Sequence, residues 1–337
     1  MNKKFDRNNA FALNIVDDTS GLSGSIQDLI PLQGDLFSFA DNSISKVLPA
    51  ESIDPENLHP ETRHSYQKIY SIGCNNSYVA RTIIQTKQIL NSIILNRDLD
   101  KQIILDHAWS CSELLFKCEE AHYRIYNEVM KLMHECDAIV EKGKNKSIIP
   151  TLPQVDDLEG KVAIFLGNAK RFLEKTHEFL CLFYNAPNSG SNFQTYREWM
   201  AKNKPDKANI IKMLEEDKDW INQIASLRNA HEINHSKPQF DVEIMNFKLN
   251  PGNKGSTPGW KYDFRARQGS IQTEFSDILT DMNVYLSNLL TFFEELLICC
   301  IQDSSDKNYN FEIYKQIPEN INKKCPTIYF VSLKKDF

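Results

Sequence analysis

The sequence predicts a mainly α protein: a helical bundle that carries an inserted β-hairpin and a short C-terminal strand. Three observations lead there. Apolar residues recur at helical spacing over most of the stretch from 76 to 302. The spacing switches to period two near 240–264 and again near 327–333. Glycine is scarce, at 12 of 337 residues, which disfavours a glycine-rich α/β nucleotide fold.

Residues 1–60 have little periodicity and many Asp, Asn, Ser and Pro, and read as a partly ordered N-terminal arm. Short apolar clusters such as Ile26, Leu29, Ile30 and Leu32 would dock it on the main body. Residues 61–305 read as the helical domain. Within it, Val79, Ile83, Leu90, Ile93 and Ile94 begin the helical pattern after Asn76, and 96–100 offers a break. A long helix follows from about Leu99 to Glu141 and ends at Gly143. Asp156 or Asp157 caps the next helix, whose stripe runs Leu158, Val162, Phe165, Ala169, Phe172, Phe179, Leu180 and Phe183. Residues 185–191 read as a loop.

A further helix from about Pro205 carries Ile210, Leu214, Ile221 and Ile224 on one stripe, and Pro238 stops it. Phe240, Val242 and Ile244 then alternate with polar residues, as do Trp260, Tyr262 and Phe264, around a turn-rich segment at 250–258. This is the hairpin insert, at about 239–266. A last helix spans about Ile271 to Gln302, with Phe275, Ile278, Met282, Leu286, Leu289, Phe293 and Leu296 inward. Residues 306–337 form a tail with a strand at Thr327–Leu333.

The net charge of −6 argues against broad, non-specific nucleic-acid binding. An RNA-binding role needs a local basic patch, such as Lys142, Lys144 and Lys146, or Lys202, Lys204 and Lys207. The eight cysteines are irregularly spaced without a CxxC pair, which fits reduced thiols in a cytoplasmic protein. The polar start has no apolar segment behind it that reads as a secretory signal. The most apolar run, Leu289 to Ile301, is interrupted by Glu294 and Glu295 and is too short to span a bilayer, so no membrane partner is expected. Phosphate-binding glycine loops and a nucleophile elbow are missing.

The densest chemistry lies at 226–238. Arg228, His231 and His235 are three and four residues apart and share a face on a continuing helix. His231-Glu232-x-x-His235 has the spacing of a zinc-hydrolase helix, in which both imidazoles bind metal and Glu232 is the base. That reading needs a third ligand. No histidine follows at metzincin spacing, and Glu274 and Asp277 do not match the glutamate-ligand spacing. A purely structural reading also stands, because cationic residues at a helix C-terminus favour the macrodipole and Arg228 can pair with Glu232.

His107, Cys111, Cys118 and His122 fall on one side of the long helix. Cys111 and Cys118 are roughly 10 Å apart along its axis, too far for one ion. They read as small residues in a packed seam with Ile104, Leu115 and Ile125, and Cys299-Cys300 as part of a core helix.

The run from Trp220 through Arg228-Asn229-Ala230-His231-Glu232, the Asn246-Phe247 pair and Pro258-Gly259-Trp260 resemble a group of bacterial helical proteins. The helix end in turn is similar to the HEPN superfamily, with an Arg, then a polar residue, then a His several positions on. The resemblance covers about residues 205–302. It implies that Arg and His meet across a helical homodimer interface and cut RNA without metal or other cofactor, in a toxin or antiviral-defence setting with a partner protein. Carried over, Arg228 would stabilise charge on the scissile phosphate, Asn229 would orient the pair, and His235 would move protons. The related group sets His directly before Pro, whereas Ser236 and Lys237 intervene here. His231 and His235 therefore both stand as candidates for the chemical histidine.

Overall fold

A computed structural model describes residues 24–60, 62–96, 99–143, 151–186, 192–232, 240–250, 254–266, 269–306, 308–309 and 311–333. In chain order these form β1 (Ile26–Leu32), β2 (Asp35–Ala40), β3 (Ile44–Pro49) and β4 (His64–Tyr70), then α1 (Ser77–Val79), a π-helical turn (Ala80–Ile84) and α2 (Gln85–Ser92). Next come α3 (Lys101–Gly143), α4 (Leu158–Tyr184), α5 (Phe193–Asn203), α6 (Ala208–Glu216) and α7 (Lys218–Glu232). The chain continues through β5 (Phe240–Met245), β6 (Lys248–Asn250), β7 (Lys254–Ser256), β8 (Gly259–Ala266) and β9 (Gly269–Asp277) to α8 (Ile278–Ser304), and ends in β10 (Phe311–Lys315) and β11 (Tyr329–Leu333).

Among the described residues four small sheets stand beside the helices, so the fold is mixed α/β and the expectation of a mainly α bundle is wrong. Two stretches account for most of the difference. Residues 26–49, expected within the arm, and 64–70, expected within the helical domain, form a four-stranded antiparallel sheet in the order β1-β2-β3-β4. Its signal is the period-two spacing of the buried apolar residues Ile30 and Leu32, then Phe37 and Phe39, amid the polar residues that suggested an arm. Residues 269–277, expected as the start of a helix, are β9 and extend the expected hairpin to a three-stranded sheet, β5-β8-β9.

The chain divides into two compact units: residues 1–112 with 300–337, and residues 113–299. In the first, β1 and β2 join through Gln33 and Gly34, both at positive φ (52° and 85°), the two-residue turn that suits the strand twist. Phe37 and Phe39 meet the buried Trp109 ring at centroid distances of 5.1 and 5.8 Å. Asn76 caps α1 by accepting from Tyr78 N at 2.8 Å. In the C-terminal hairpin, β11 pairs antiparallel with β10.

In the second unit α4 buries Val162, Phe165, Ala169, Phe172, Phe179 and Leu180. Phe172 and Phe179 pack on Phe293 of α8 at 6.1 and 5.6 Å. Asp157 occupies the N-cap position in a left-handed conformation, but its side chain makes no capping bond. The helix expected from Pro205 is two helices, α6 and α7, separated at Asp217, which accepts from Trp220 Nε1 at 2.7 Å. The helix α8 is long and apolar enough to cross a membrane, contrary to the shorter run expected, and 67% of its most apolar window is buried in the protein.

Candidate functional site

The helix α7 buries Ile221, Ile224, Leu227 and Ala230 and leaves Arg228 and Asn229 half-buried at the rim of that face. Arg228 Nη1 donates to Asn229 Oδ1 at 3.2 Å, so the Arg-Asn pair is a hydrogen-bonded unit on the last turn. His231 and Glu232 belong to that turn, their side chains lying outside the described part of the molecule, and His235 lies outside the described residues altogether. The structure thus brings Arg228 and Asn229 together and leaves the histidine partner unassigned.

The floor beneath α7 is the sheet β5-β8-β9. Gln223 Nε2 donates to the Tyr262 hydroxyl and ties α7 to β8. Trp260, two residues earlier on the same face of β8, donates from Nε1 to Asp281 Oδ2 of α8 at 2.6 Å. Burial raises the Tyr262 hydroxyl above the usual phenol range, nearby Asp281 adds to the rise, and the bond from Gln223 opposes it. Burial likewise raises Tyr285, which stands 6.5 Å from Trp260 by ring centroid. Gln223, Asp281 and Tyr285 escaped the sequence reading. Their one signal was that Trp260 and Tyr262 each carry a polar atom needing a partner when buried.

The residues that carried the family resemblance have structural work. Asn246 grips the backbone of Val155, accepting from its N at 2.9 Å and donating to its O at 3.0 Å. Phe247 is buried beside it. Pro258 O accepts from Ile278 N at 3.2 Å, joining the Pro-Gly-Trp turn to the start of α8. Gly259 is a close-approach position, because a Cβ there would sit 2.3 Å from Phe275 Cζ.

The other candidate cluster resolves as packing. Cys111 and Cys118 are fully buried, as are Leu115 and Ile125, and Ile104 is 1% exposed. Burial raises the Cys118 thiol. Burial also lowers His122, against a backbone hydrogen bond with Leu279 that raises it. Among the described residues no group of three or more His, Cys, Asp or Glu could hold a metal ion. The zinc reading of His231 and His235 rests on side chains outside that set.

A groove of about 290 Å³ runs along α3 and α4, lined by Lys117, Glu120, Arg124, Lys161, Ile164 and others. Arg124 pairs with Glu120 at 2.5 Å, and Lys161 pairs with Glu128. Of the basic patches expected from sequence, Lys202 and Lys204 are exposed and Lys207 lies 3.5 Å from Asp206, while Lys144 and Lys146 lie outside the described residues. Compared with known proteins, the chain matches no family, no curated protein and no solved structure.

Proposed function

We propose that this chain is a metal-independent endoribonuclease of HEPN-like design, acting as a homodimer. The observation that carries the reading is the hydrogen-bonded Arg228–Asn229 pair at the end of an amphipathic helix. The guanidinium is oriented by its neighbour, as a group meant to meet a phosphate must be. In this account Arg228 stabilises the charge that builds on the scissile phosphate. A histidine, His235 or His231, takes the proton from the ribose 2′-OH as it attacks phosphorus and returns one to the departing 5′-oxygen. Glu232, directly after His231 and three residues before His235, is the candidate to hold the ring of that histidine.

Two further features support the reading. Lys117 in the α3–α4 groove and the exposed Lys202 and Lys204 supply local positive charge that a chain of net charge −6 needs to approach RNA. Tyr123, Tyr126 and Met130 are exposed at 60%, 42% and 37% on one face of α3, an apolar stripe suited to a second copy of the chain. A cytoplasmic setting, in toxin or phage-defence work with a partner protein, belongs to the same proposal. Incubation with single-stranded and structured RNA in EDTA tests it. A folded dimer that leaves every RNA intact would make the chain a helical interaction module instead, and stoichiometric zinc in active protein would move the chemistry to His231 and His235.

A further inference from the structure

In the second unit α3 and α4 lie antiparallel against each other. Cys118 Sγ meets Phe165 O at 3.9 Å, and further along α3 Glu128 holds Lys161, which comes earlier on α4. The groove of about 290 Å³ runs between them. On α3 its lining reaches from Lys117 to Arg124, about 10 Å of axis or two helical turns. Ala121 and Ile164 supply apolar surface there. Ile164, 57% exposed, is the one large apolar residue of α4 that lies mostly open among the described residues. One turn on, Gly167 is half-exposed in mid-helix, and a Cβ there would meet nothing within 4 Å. Glycine weakens a helix interior, and no internal contact of Gly167 requires it. What a missing side chain offers at an open position is the close approach of another backbone.

The charges along this groove do not balance. Lys161 is taken by Glu128, and Arg124 pairs with Glu120 at 2.5 Å. The second pair is exposed at 69% and 59%, so it is weak and opens at little cost. Lys117 and Asn168 on the lining, and Arg171 one turn beyond Asn168 on the open face of α4, have no hydrogen-bond or ion-pair partner among the described residues. The charge left over is positive. An apolar strip edged with positive charge is complemented by an anionic amphipathic partner. RNA fits it less well, because no aromatic side chain among the described residues lines the groove for a base to stack on. A second copy fits less well too, since a two-fold axis would set this positive face against itself.

We propose that the α3–α4 groove seats an acidic amphipathic helix of another protein. The apolar stripe of that helix covers Ala121 and Ile164, and its backbone crosses α4 at Gly167. Carboxylates on its flanks meet Lys117 and Arg171, and Asn168 donates a hydrogen bond beside them. The result is a third helix laid on a helix pair, each burying its apolar stripe against the other. Tyr123, Tyr126 and Met130 lie on another side of α3 by helical spacing, so a second copy docked there leaves the groove open. None of the groove residues takes part in the Arg228 chemistry proposed above, and the docking stands whether or not the chain cuts RNA.

The test follows a labelled helical peptide by fluorescence anisotropy with the full-length protein. The peptide has about three heptads, with a leucine–alanine stripe flanked by glutamates, and its twin carries lysines in their place. The glutamate peptide should bind about 10-fold or more tighter than the lysine peptide. Lys117→Glu combined with Arg171→Glu should abolish that preference. Ile164→Asn and Gly167→Leu should each weaken the glutamate peptide about 10-fold while the thermal melt is kept, because both positions face open space. Hydroxyl-radical footprinting of the natural sequence should show Ile164 protected by the peptide, a readout that needs no variant. Equal binding of the two peptides, or none, would overturn the proposal. So would binding that follows Lys117 and Arg171 but ignores Ile164 and Gly167, which is charge attraction alone. A single-stranded RNA whose binding is lost in Gly167→Leu would make the groove an RNA seat, and a dimer lost in that variant would make it an interface between copies; either result overturns the assignment.

Discussion

Asn246 and Val155 are paired like neighbours in a sheet, the Asn246 side-chain amide accepting from Val155 N at 2.9 Å and donating to Val155 O at 3.0 Å. Val155 is 2% exposed, so neither backbone group has water in reserve. This bond fastens the segment before α4 to the turn after β5. Asn246→Asp keeps the shape but removes the donor and turns a carboxylate on a carbonyl. It should cost about 1–3 kcal/mol in urea unfolding, with Asn246→Ala in the same range. An unchanged midpoint in both would show that the grip contributes nothing.

Two glycines should respond in opposite directions to alanine. Gly259 lies under the Phe275 ring and close to Ser276 O, where a Cβ would stand 2.3 and 2.6 Å away. Gly259→Ala should destabilise the protein by about 1–3 kcal/mol, because the ring and the strand must both move. At Gly167, in the middle of α4, a Cβ would meet nothing within 4 Å. Gly167→Ala should therefore stabilise by about 0.5–1 kcal/mol through helix propensity. Thermal melts of the pair check the contrast.

The joint between α7 and the sheet is measurable by a double-mutant cycle. Tyr262→Phe leaves the Gln223 amide without the hydroxyl it meets, and Gln223→Ala takes that donor away from the half-buried Tyr262 hydroxyl. Each should cost about 1 kcal/mol, with a coupling of about 0.5–1.5 kcal/mol between them. Additive losses would mean that the two side chains do not act together.

His177 should give stability a pH dependence. It is 1% exposed, with its ring edge-on to Phe193 and Tyr196 at 5.5 and 5.2 Å. Burial depresses its pKa, and Glu178 opposes the shift. A depressed histidine binds fewer protons folded than unfolded. Its contribution is therefore present above the unfolded pKa of about 6.5 and lost as pH falls through the folded value. Between about pH 7 and pH 5, His177→Phe should lose less stability than the natural sequence. Equal slopes for the two would refute the assignment.

The helical half of the fold was legible because its cores are large and periodic. The stripe from Val162 to Leu180 and that from Ile278 to Leu296 face inward as their spacing implies. The N-terminal sheet was obscured by composition. Its strands are six or seven residues long and expose Leu29 and Leu36, so alternation such as Ile30-x-Leu32 covers too few residues to stand out among Asp, Asn and Ser. At the carboxyl end of the insert, Ile271, Thr273 and Phe275 alternate as a strand would. They run directly into Ile278 and Met282, and one helical register absorbed both. Of the candidate site, Arg228 and Asn229 were readable from their place on α7. The supporting contacts of Gln223, Tyr262 and Asp281 join elements 39 or 21 residues apart, and nothing local in sequence announces them.

The central claim is that Arg228 and a following histidine cut RNA without metal. Its most direct test is the cleavage rate of a labelled single-stranded RNA in excess EDTA, for the natural sequence beside folded Arg228→Ala and His235→Ala variants. The account predicts cleavage that leaves a 2′,3′-cyclic phosphate, and a loss of about 100-fold or more in each variant. Should His235→Ala keep its rate while His231→Ala loses it, the proton carrier is His231. Undiminished cleavage in Arg228→Ala, or no cleavage until zinc is added, would contradict the account.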